Sequence, residues 1–295
     1  GDTVLVAVKG YFGNRLMDMA GRYRANVQVI EKPWGEAFTL EELEAGIKKH
    51  KPAILAMVHA ETSTGICQPM DGVGDLCREH DCLLLLDTVT SLGGVPLYLD
   101  AWKVDLAYSC SQKGLSCPPG LGPFTMGPRA EAKLSARQDK VPNWYLDVSL
   151  LNQYWGSDRV YHHTAPVNMN FGMREALRLL AEEGLENAWA RHRRNAEALW
   201  TGLESLGLEM HVPEELRLPT LTTVRIPPDV DGKAFSSHLL NTHGIEVGGG
   251  LGVLAGKIWR IGLMGYNSTP ENVDRLLNLF ETELPRFRQS AAVAA

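Results

Sequence analysis

The chain has 295 residues, of which 44% are hydrophobic and 22% are charged, and its formal net charge is −6. This length allows one large domain or two smaller ones, and the composition is that of an ordinary globular protein. The negative net charge gives no electrostatic reason to expect nucleic acid or an anionic membrane as a partner.

Apolar strand-like runs alternate with amphipathic segments along the chain. The predicted strands are 3–8, 53–58, 82–86, 104–108, 221–226 and 258–263, and the predicted helices are 14–24, 39–50, 71–80, 172–183, 185–206, 232–241 and 270–286. Thr39 and Glu42 form a capping-box pattern, and Pro270 suits the first turn of a helix. This alternation predicts an α/β fold with a mainly parallel sheet and right-handed crossovers. We expect a domain boundary near residue 184.

The five cysteines lie between Cys67 and Cys117, without a CxxC pair. An odd number in this arrangement argues against a disulfide framework or a zinc site. No apolar stretch approaches the roughly 20 residues that cross a bilayer. The first residues predict a turn entering a strand, and no targeting signal is visible. We therefore expect a cytoplasmic location.

Two polar side chains follow neighbouring strand patterns. The leucines 83–86 end at Asp87, and the run 104–108 leads into a polar turn that carries Lys113. Ligands of parallel sheets gather at the carboxyl ends of the strands. Either residue alone is also typical of a helix cap or a solvated side chain. Together they match pyridoxal-phosphate chemistry, in which a lysine forms a Schiff base with the cofactor aldehyde and an acid holds a proton on the pyridine nitrogen.

Arg260 lies within an apolar strand pattern. Buried arginines are rare unless paired, and a planar guanidinium suits bidentate binding of a carboxylate. An internal salt bridge is the alternative. The glycine-rich segment 248–252 has no GxGxxG spacing, so we interpret it as a loop that approaches Arg260 rather than as a phosphate cradle.

Two further polar segments invite a functional interpretation. The loop 59–65 follows a predicted strand and is dense in hydroxyl groups, which also suits a hydrogen-bonded turn. The segment 161–164 contains His162 and His163, but adjacent histidines point in different directions in most backbones. We therefore predict no metal site there.

The sequence resembles the alanine–glyoxylate/serine–pyruvate aminotransferase family, within the class V, fold-type-I pyridoxal-phosphate enzymes. The matching segments occur in the family's order and are KPAILAMVHAETSTG, LLLLDTVTSLGGVPLYLD, YSCSQKG, WYLD, YHHTAPV, LPTLTTV and RIGLMG. The resemblance implies a large cofactor-binding domain over 1–183 with a mainly parallel sheet, and a smaller α+β domain over 184–295. It also implies a homodimer with shared active sites.

The resemblance assigns roles to residues around the pyridoxal-phosphate ring and phosphate. Thr62 matches the residue that hydrogen-bonds the ring oxygen, and Gln112 matches a phosphate ligand. Phe12 matches the aromatic residue that stacks on the ring, which is usually tryptophan in the family, so the stack has less area here. Tyr161 and Thr164 match residues that reach the phosphate in the partner subunit's site.

The resemblance implies transamination from a small amino acid, alanine or serine, to a small 2-oxo acid, glyoxylate or pyruvate. Lys113 and Asp87 are then the catalytic residues, and Arg260 binds the substrate α-carboxylate. Related aminotransferases acting on ureidoglycine or aminoethylphosphonate remain alternatives. Cysteine desulfurases of this fold need a reactive cysteine late in the chain, whereas the cysteines here are early.

The family's pattern also implies that roughly 90 residues precede Gly1, a number that follows from the usual size of such domains. That part carries the Ser/Gly-rich loop whose amides hold the cofactor phosphate at a helix start. A non-catalytic module that only dimerises is therefore a further alternative.

Overall fold

The computed structural model describes residues 1–288, in eleven strands and nine α-helices. The strands are β1 Thr3–Val8, β2 Asn26–Glu31, β3 Ile54–Val58, β4 Ala60–Glu61, β5 Ile66–Cys67, β6 Leu83–Asp87, β7 Leu106–Tyr108, β8 Phe124–Met126, β9 Leu221–Arg225, β10 Gly248–Gly249 and β11 Ile258–Gly262. The helices are α1 Tyr11–Arg22, α2 Leu40–His50, α3 Val73–Glu79, α4 Pro128–Ser135, α5 Val148–Trp155, α6 Val167–Glu183, α7 Leu185–Ser205, α8 Gly232–His243 and α9 Pro270–Glu283.

The larger sheet has six strands in the order β2-β1-β3-β6-β7-β8. Five of them are parallel, and β8 runs antiparallel to β7. The leucine run of β6 supplies both faces of the sheet, because Leu84 and Leu86 join one hydrophobic cluster and Leu85 packs against another. The predicted α/β fold with a mainly parallel sheet is confirmed.

Several elements differ from their predicted bounds. Strand β2 was not predicted, because it is an edge strand in which polar residues interrupt the apolar pattern. Strand β8 and helices α4 and α5 were also missed, and the glycine segment expected to be a loop contains the short strand β10, which pairs with β11. The capping box of Thr39 and Glu42 is confirmed, with both reciprocal hydrogen bonds present.

The smaller sheet is antiparallel, in the order β10-β11-β9, and its hydrophobic cluster is built around Trp200, Phe235, Trp259 and Phe280. Two buried threonines join it to the loops of the larger sheet. The hydroxyl of Thr223 donates to the Thr64 carbonyl at 2.8 Å, and that of Thr220 donates to the Thr90 carbonyl at 3.1 Å. The domain boundary near residue 184, between α6 and α7, stays a prediction.

Two properties bear on the surroundings of the chain. All five cysteines are free thiols, three of them buried. Among residues 1–288, no helix combines the length and the apolar character needed to cross a membrane. The last seven residues, and with them the end of the expected 184–295 domain, lie outside the described residues.

Candidate active site

The carboxyl ends of the parallel strands bring a buried acid to one edge of the larger sheet. Asp87 ends β6 and is 7% exposed. Its Oδ2 accepts a hydrogen bond from the Tyr108 hydroxyl at 2.5 Å, and its Oδ1 accepts one from the Val89 amide at 2.8 Å. Burial raises the pKa of this carboxyl group, and the two hydrogen bonds oppose the rise. Asp87 is therefore held in one orientation and shielded from bulk water.

Lys113 lies in the turn that follows β7, five residues beyond Tyr108, the register partner of Asp87. The next residue, Gly114, passes so close to the Leu92 carbonyl that an added Cβ would stand 2.3 Å from its oxygen. Only glycine allows this approach, so the turn is seated firmly against the 92–94 loop. Lys113 is half-buried and lines a cavity of about 570 Å³ together with Gln112 and Met264.

The thiol of Cys110 is influenced by both the acid and the lysine. Burial raises the pKa of this thiol, the positive charge of Lys113 lowers it, and the carboxylate of Asp87 raises it. Both charges therefore act on this thiol, although Asp87 does not line the cavity of Lys113. An acid and an amine that follow adjacent strands can bind opposite ends of one small ring.

Arg260 belongs to the smaller sheet and lies near the loops at the carboxyl edge of the larger sheet. It lies on β11 opposite Thr223, whose hydroxyl holds the loop that carries Thr62. Its Nε donates to the Gly249 carbonyl at 2.7 Å, and its Nη1 lies 3.5 Å from the Thr62 carbonyl. Among residues 1–288, no carboxylate forms a salt bridge with it. The alternative of an internal salt bridge is therefore wrong within these residues. The guanidinium can donate hydrogen bonds to the carboxylate of a ligand.

The hydroxyl and aromatic candidates are held in place by local bonds. Thr62 is buried and shares a 2.6 Å hydrogen bond with the Thr90 hydroxyl. Phe12 lies in the first turn of α1, edge-to-face with Tyr11, and the Arg15 guanidinium lies 4.9 Å from the centre of its ring. The ring of Phe12 thus contacts an aromatic edge and a cation.

The start of α1 depends on a buried glutamate. Glu61 is 0% exposed, and its carboxylate accepts hydrogen bonds from the amide of Gly13 at 3.2 Å and from the hydroxyl of Ser63 at 2.6 Å. Gly10 permits this approach, because a Cβ there would stand 2.4 Å from the Glu61 side chain. Helix α1 therefore begins at Tyr11, three residues earlier than the apolar pattern predicts.

The comparison with protein families identifies this arrangement. The model of the family Aminotransferase class-V matches residues 1–276. The chain belongs to the class V aminotransferases. It is 47% identical over 278 residues to the alanine–glyoxylate aminotransferase of Callithrix jacchus, a match covering 93% of this chain and 67% of the relative. It is 39% identical over 312 residues to the (S)-ureidoglycine–glyoxylate transaminase of Bacillus subtilis, covering 100% of this chain and 74% of the relative.

The architecture agrees with that assignment. The solved structure of the alanine–glyoxylate aminotransferase from Nostoc sp. superposes on this aminotransferase with a TM-score of 0.94 at 66% sequence identity, covering 95% of this chain and 74% of that one. The fold is the fold-type-I α/β architecture of these enzymes. The chain is a pyridoxal-phosphate-dependent aminotransferase, and the predictions of family, enzyme class and cofactor are confirmed.

The donor set of this aminotransferase fits pyridoxal phosphate. A buried carboxyl group suits a protonated ring nitrogen, and a half-buried amine outside any salt bridge of residues 1–288 suits the aldehyde. A fixed aromatic side chain suits the ring face, and a buried hydroxyl suits the ring oxygen. Asp87, Lys113, Phe12 and Thr62 supply these four groups.

The three expected phosphate ligands lie at the surface of the chain. Gln112 is exposed beside Lys113, and Tyr161 is 73% exposed. The hydroxyls of Tyr161 and Thr164 lie 3.4 Å apart. The structure thus brings Gln112 to the lysine, whereas Tyr161 and Thr164 present their hydroxyls outward as a pair. Their phosphate roles stay predictions.

Sequence reasoning missed three polar groups of the aminotransferase site. Lys9, which follows β1, and Glu61 are both 0% exposed, and Tyr108 donates to Asp87. A charged residue at the end of an apolar strand run is a usable signal, and Lys9 occupies that position in the same way as Asp87. The role of Tyr108 depends on sheet register, which the sequence does not reveal.

Replacing Glu61 with alanine is expected to lower the free energy of unfolding by about 2–4 kcal/mol. The change leaves the first amides of α1 without their acceptor and removes a carboxylate that compensates the buried charge of Lys9. Urea denaturation of the cofactor-free protein measures the loss. The control is Glu79→Ala, an exposed glutamate at the end of α3, with an expected change within about 0.5 kcal/mol. Equal losses in both variants would contradict the anchoring role.

Proposed function

We propose that this aminotransferase moves the amino group of a small amino acid, alanine or serine, to a small 2-oxo acid, glyoxylate or pyruvate. The observation that carries the proposal is the buried carboxyl group of Asp87 beside the strand that leads to Lys113. The relatives named for alanine–glyoxylate transamination support the choice of substrates.

Bound pyridoxal phosphate supplies an aldehyde that takes up the amino group and a ring that withdraws electrons from the substrate α-carbon. Lys113 would hold the cofactor at its aldehyde, and its amine would serve as the base for the proton of the substrate α-carbon. Asp87 would hold the protonated ring nitrogen and stabilise it electrostatically. Arg260 binds the substrate carboxylate, which orients the α-carbon bond that breaks.

The remaining candidates hold the cofactor rather than react. Phe12 would cover one face of the ring, and Thr62 would hydrogen-bond the ring oxygen. Gln112 would contact the phosphate, and Tyr161 and Thr164 would contact the phosphate bound by the partner subunit. These roles rest on the matched segments and on the positions described above.

A donor–acceptor panel tests the substrate assignment. Purified protein with added pyridoxal phosphate is assayed with alanine, serine, aspartate and glutamate as donors and with glyoxylate, pyruvate and 2-oxoglutarate as acceptors. We expect the highest kcat/KM for alanine or serine with glyoxylate or pyruvate. Preference for a dicarboxylic pair would refute the proposed substrates, and a colourless, inactive protein would favour the non-catalytic module.

Ureidoglycine with glyoxylate is the second candidate. The observation in its favour is the match to the ureidoglycine–glyoxylate transaminase over the whole of this chain. Both candidates share the acceptor, so the donor decides between them. A kcat/KM for ureidoglycine well above that for alanine, in the same assay, would establish this second function.

We propose a homodimer in which each chain completes its partner's site. Exposed aromatic side chains lie near the hydroxyl pair of Tyr161 and Thr164. Trp144, 58% exposed, stacks on His162, and Trp155, 62% exposed, contacts Tyr154, whose ring lies 6.3 Å from that of Tyr161. Exposed aromatic side chains of this kind are typical of protein–protein interfaces. Light scattering of the purified chain tests the proposal, and a monomer at working concentration would contradict it.

We also propose a cytoplasmic location. All five cysteines are free, as expected for a chain that works in a reducing compartment. Fractionation of cells that express the native gene tests this proposal.

A further inference from the structure

Two histidines and a glutamate come together on the helices of the smaller sheet. His238 and His243 lie in the second half of α8, and Glu283 is the last residue of α9. One ligand atom of each residue lies within 4.8 Å of the other two, and all three residues are partly buried. Among residues 1–288, no other three His, Cys, Asp or Glu side chains come together in this way. Imidazole and carboxylate groups are also the residue types that bind zinc in proteins.

Contacts within the group account for two of the three residues. His238 Nε2 lies 3.0 Å from Glu283 Oε2, and the same oxygen accepts a hydrogen bond from the exposed guanidinium of Arg286. The ring of His243 packs edge-to-face on that of His238, with the ring centres 5.3 Å apart. Its Nε2 is buried and has no hydrogen-bond partner among residues 1–288. A buried polar atom of this kind indicates a bound water or ion.

The other ring nitrogen of His238 suits metal ligation. Its Nδ1 lies 3.2 Å from the hydroxyl of Thr242. A histidine that binds a metal usually donates its second ring N–H to a neighbouring acceptor, which fixes the tautomer. A hydroxyl both donates and accepts, so Thr242 can satisfy Nδ1 while Nε2–H donates to Glu283, and also when Nε2 has given up its proton to bind a metal.

The ligand set and its spacing favour zinc. Mg²⁺ and Ca²⁺ prefer oxygen ligands, whereas two imidazoles and one carboxylate suit Zn²⁺. Zinc bonds of about 2.0–2.2 Å place tetrahedral ligand atoms about 3.4 Å apart, so the widest pair has to close by at most about 1.4 Å. Two cations lie nearby. Arg275 donates to the His243 carbonyl at 2.7 Å, and Arg286 competes for Glu283 but is 67% exposed and can turn away.

We propose that His238, His243 and Glu283 form a binding site for a divalent transition metal ion, with Zn²⁺ as the best match. Three protein ligands leave a fourth position for water. The ion joins the end of α8 to the end of α9 and supplies a partner for the buried nitrogen of His243. The proposal does not depend on the proposed transamination, because none of these residues belongs to the candidate active site.

Calorimetric titration of the purified chain with Zn²⁺, after treatment with EDTA, tests the site. We expect one strongly bound equivalent, and affinity at least about tenfold weaker in His243→Gln and in Glu283→Gln. The control is His50→Gln, because His50 is also a half-buried last residue of a helix, α2, and its loss should leave the affinity unchanged. Co²⁺ in place of Zn²⁺ should give visible tetrahedral bands without the sulfur-to-cobalt bands of a cysteine site. Wild-type affinity in both ligand variants would overturn the proposal.

Two further measurements separate a metal site from a group of side chains that only stabilises the fold. Arg286→Gln should tighten Zn²⁺ binding about threefold, because an exposed competitor for Glu283 is lost. Zn²⁺ at about 100 times its Kd should raise the Tm of the wild type by about 4 °C, and it should leave the Tm of Glu283→Gln nearly unchanged. A wild type that binds no Zn²⁺, or equal Tm shifts in both proteins, would refute the site.

Discussion

Lys113→Ala is expected to abolish both turnover and the visible absorbance of the protein with pyridoxal phosphate. On the proposed roles, the variant would lose both the amine that holds the aldehyde and the base for the α-proton, so kcat should fall by at least about 10⁴-fold. Absorbance spectroscopy before and after borohydride reduction, combined with stopped assays, measures both losses. Lys233→Ala, an exposed lysine on α8, should keep the colour and the activity of the wild type.

Lys9 is a second lysine to which the cofactor could attach, so the experiment has to distinguish the two. Lys9 is fully buried, whereas Lys113 lines an open cavity. Peptide mapping after borohydride reduction of the wild type should therefore find the cofactor on Lys113 alone. Small amines such as methylamine should restore part of the proton transfer in Lys113→Ala. A reduced adduct on Lys9, or activity retained in Lys113→Ala, would show that the wrong lysine has been assigned.

Arg260→Ala is expected to raise KM for alanine by about 100-fold while pyridoxal phosphate still binds. Removing one partner of a partly buried charge-assisted pair costs about 2–5 kcal/mol, or roughly 30-fold to several thousand-fold in kcat/KM. Arg260→Lys should recover only part of the loss, because a single ammonium cannot form the bidentate contact. Steady-state kinetics with alanine, together with cofactor titration, measures the effect.

The specificity of this loss distinguishes carboxylate binding from general damage. Arg260 also donates to the Gly249 carbonyl, so its removal can loosen the 248–252 segment. The half-reaction with ethylamine, which lacks a carboxylate, should therefore be nearly unchanged in Arg260→Ala, while that with alanine collapses. Arg225→Ala, an exposed arginine on the adjacent strand β9, serves as the control. Equal losses with both amines would reject the carboxylate role.

The fold followed from the sequence where apolar patterns were continuous. The leucine run of β6 and the first strand were predicted nearly to the residue, because a strand buried on both faces has little freedom in its composition. The edge strand β2 carries Asn26 and Gln28 and so lacks that signal. The start of α1 was misplaced, since its amides are satisfied by Glu61, about fifty residues away in the chain.

The candidate site followed from the sequence only in part, for the same physical reason. Asp87 and Lys113 each end a recognisable strand, and Arg260 interrupts one. Tyr108 gains its significance from parallel pairing, which brings it into register with Asp87 at one sheet edge. Such charge relationships depend on register and burial, which no local pattern contains.

The two threonine bonds between the sheets constrain how the enzyme can select its substrate. Thr220 and Thr223 fasten the small sheet, and with it Arg260, to the loops that hold Thr62 and Thr90. Pulling this junction apart exposes two satisfied buried pairs, at a cost of about 2–6 kcal/mol. The two bonds thus limit how far the guanidinium can move relative to the loop of Thr62. We therefore expect discrimination between donors to depend on the side chains near Arg260 more than on a movement of the smaller sheet.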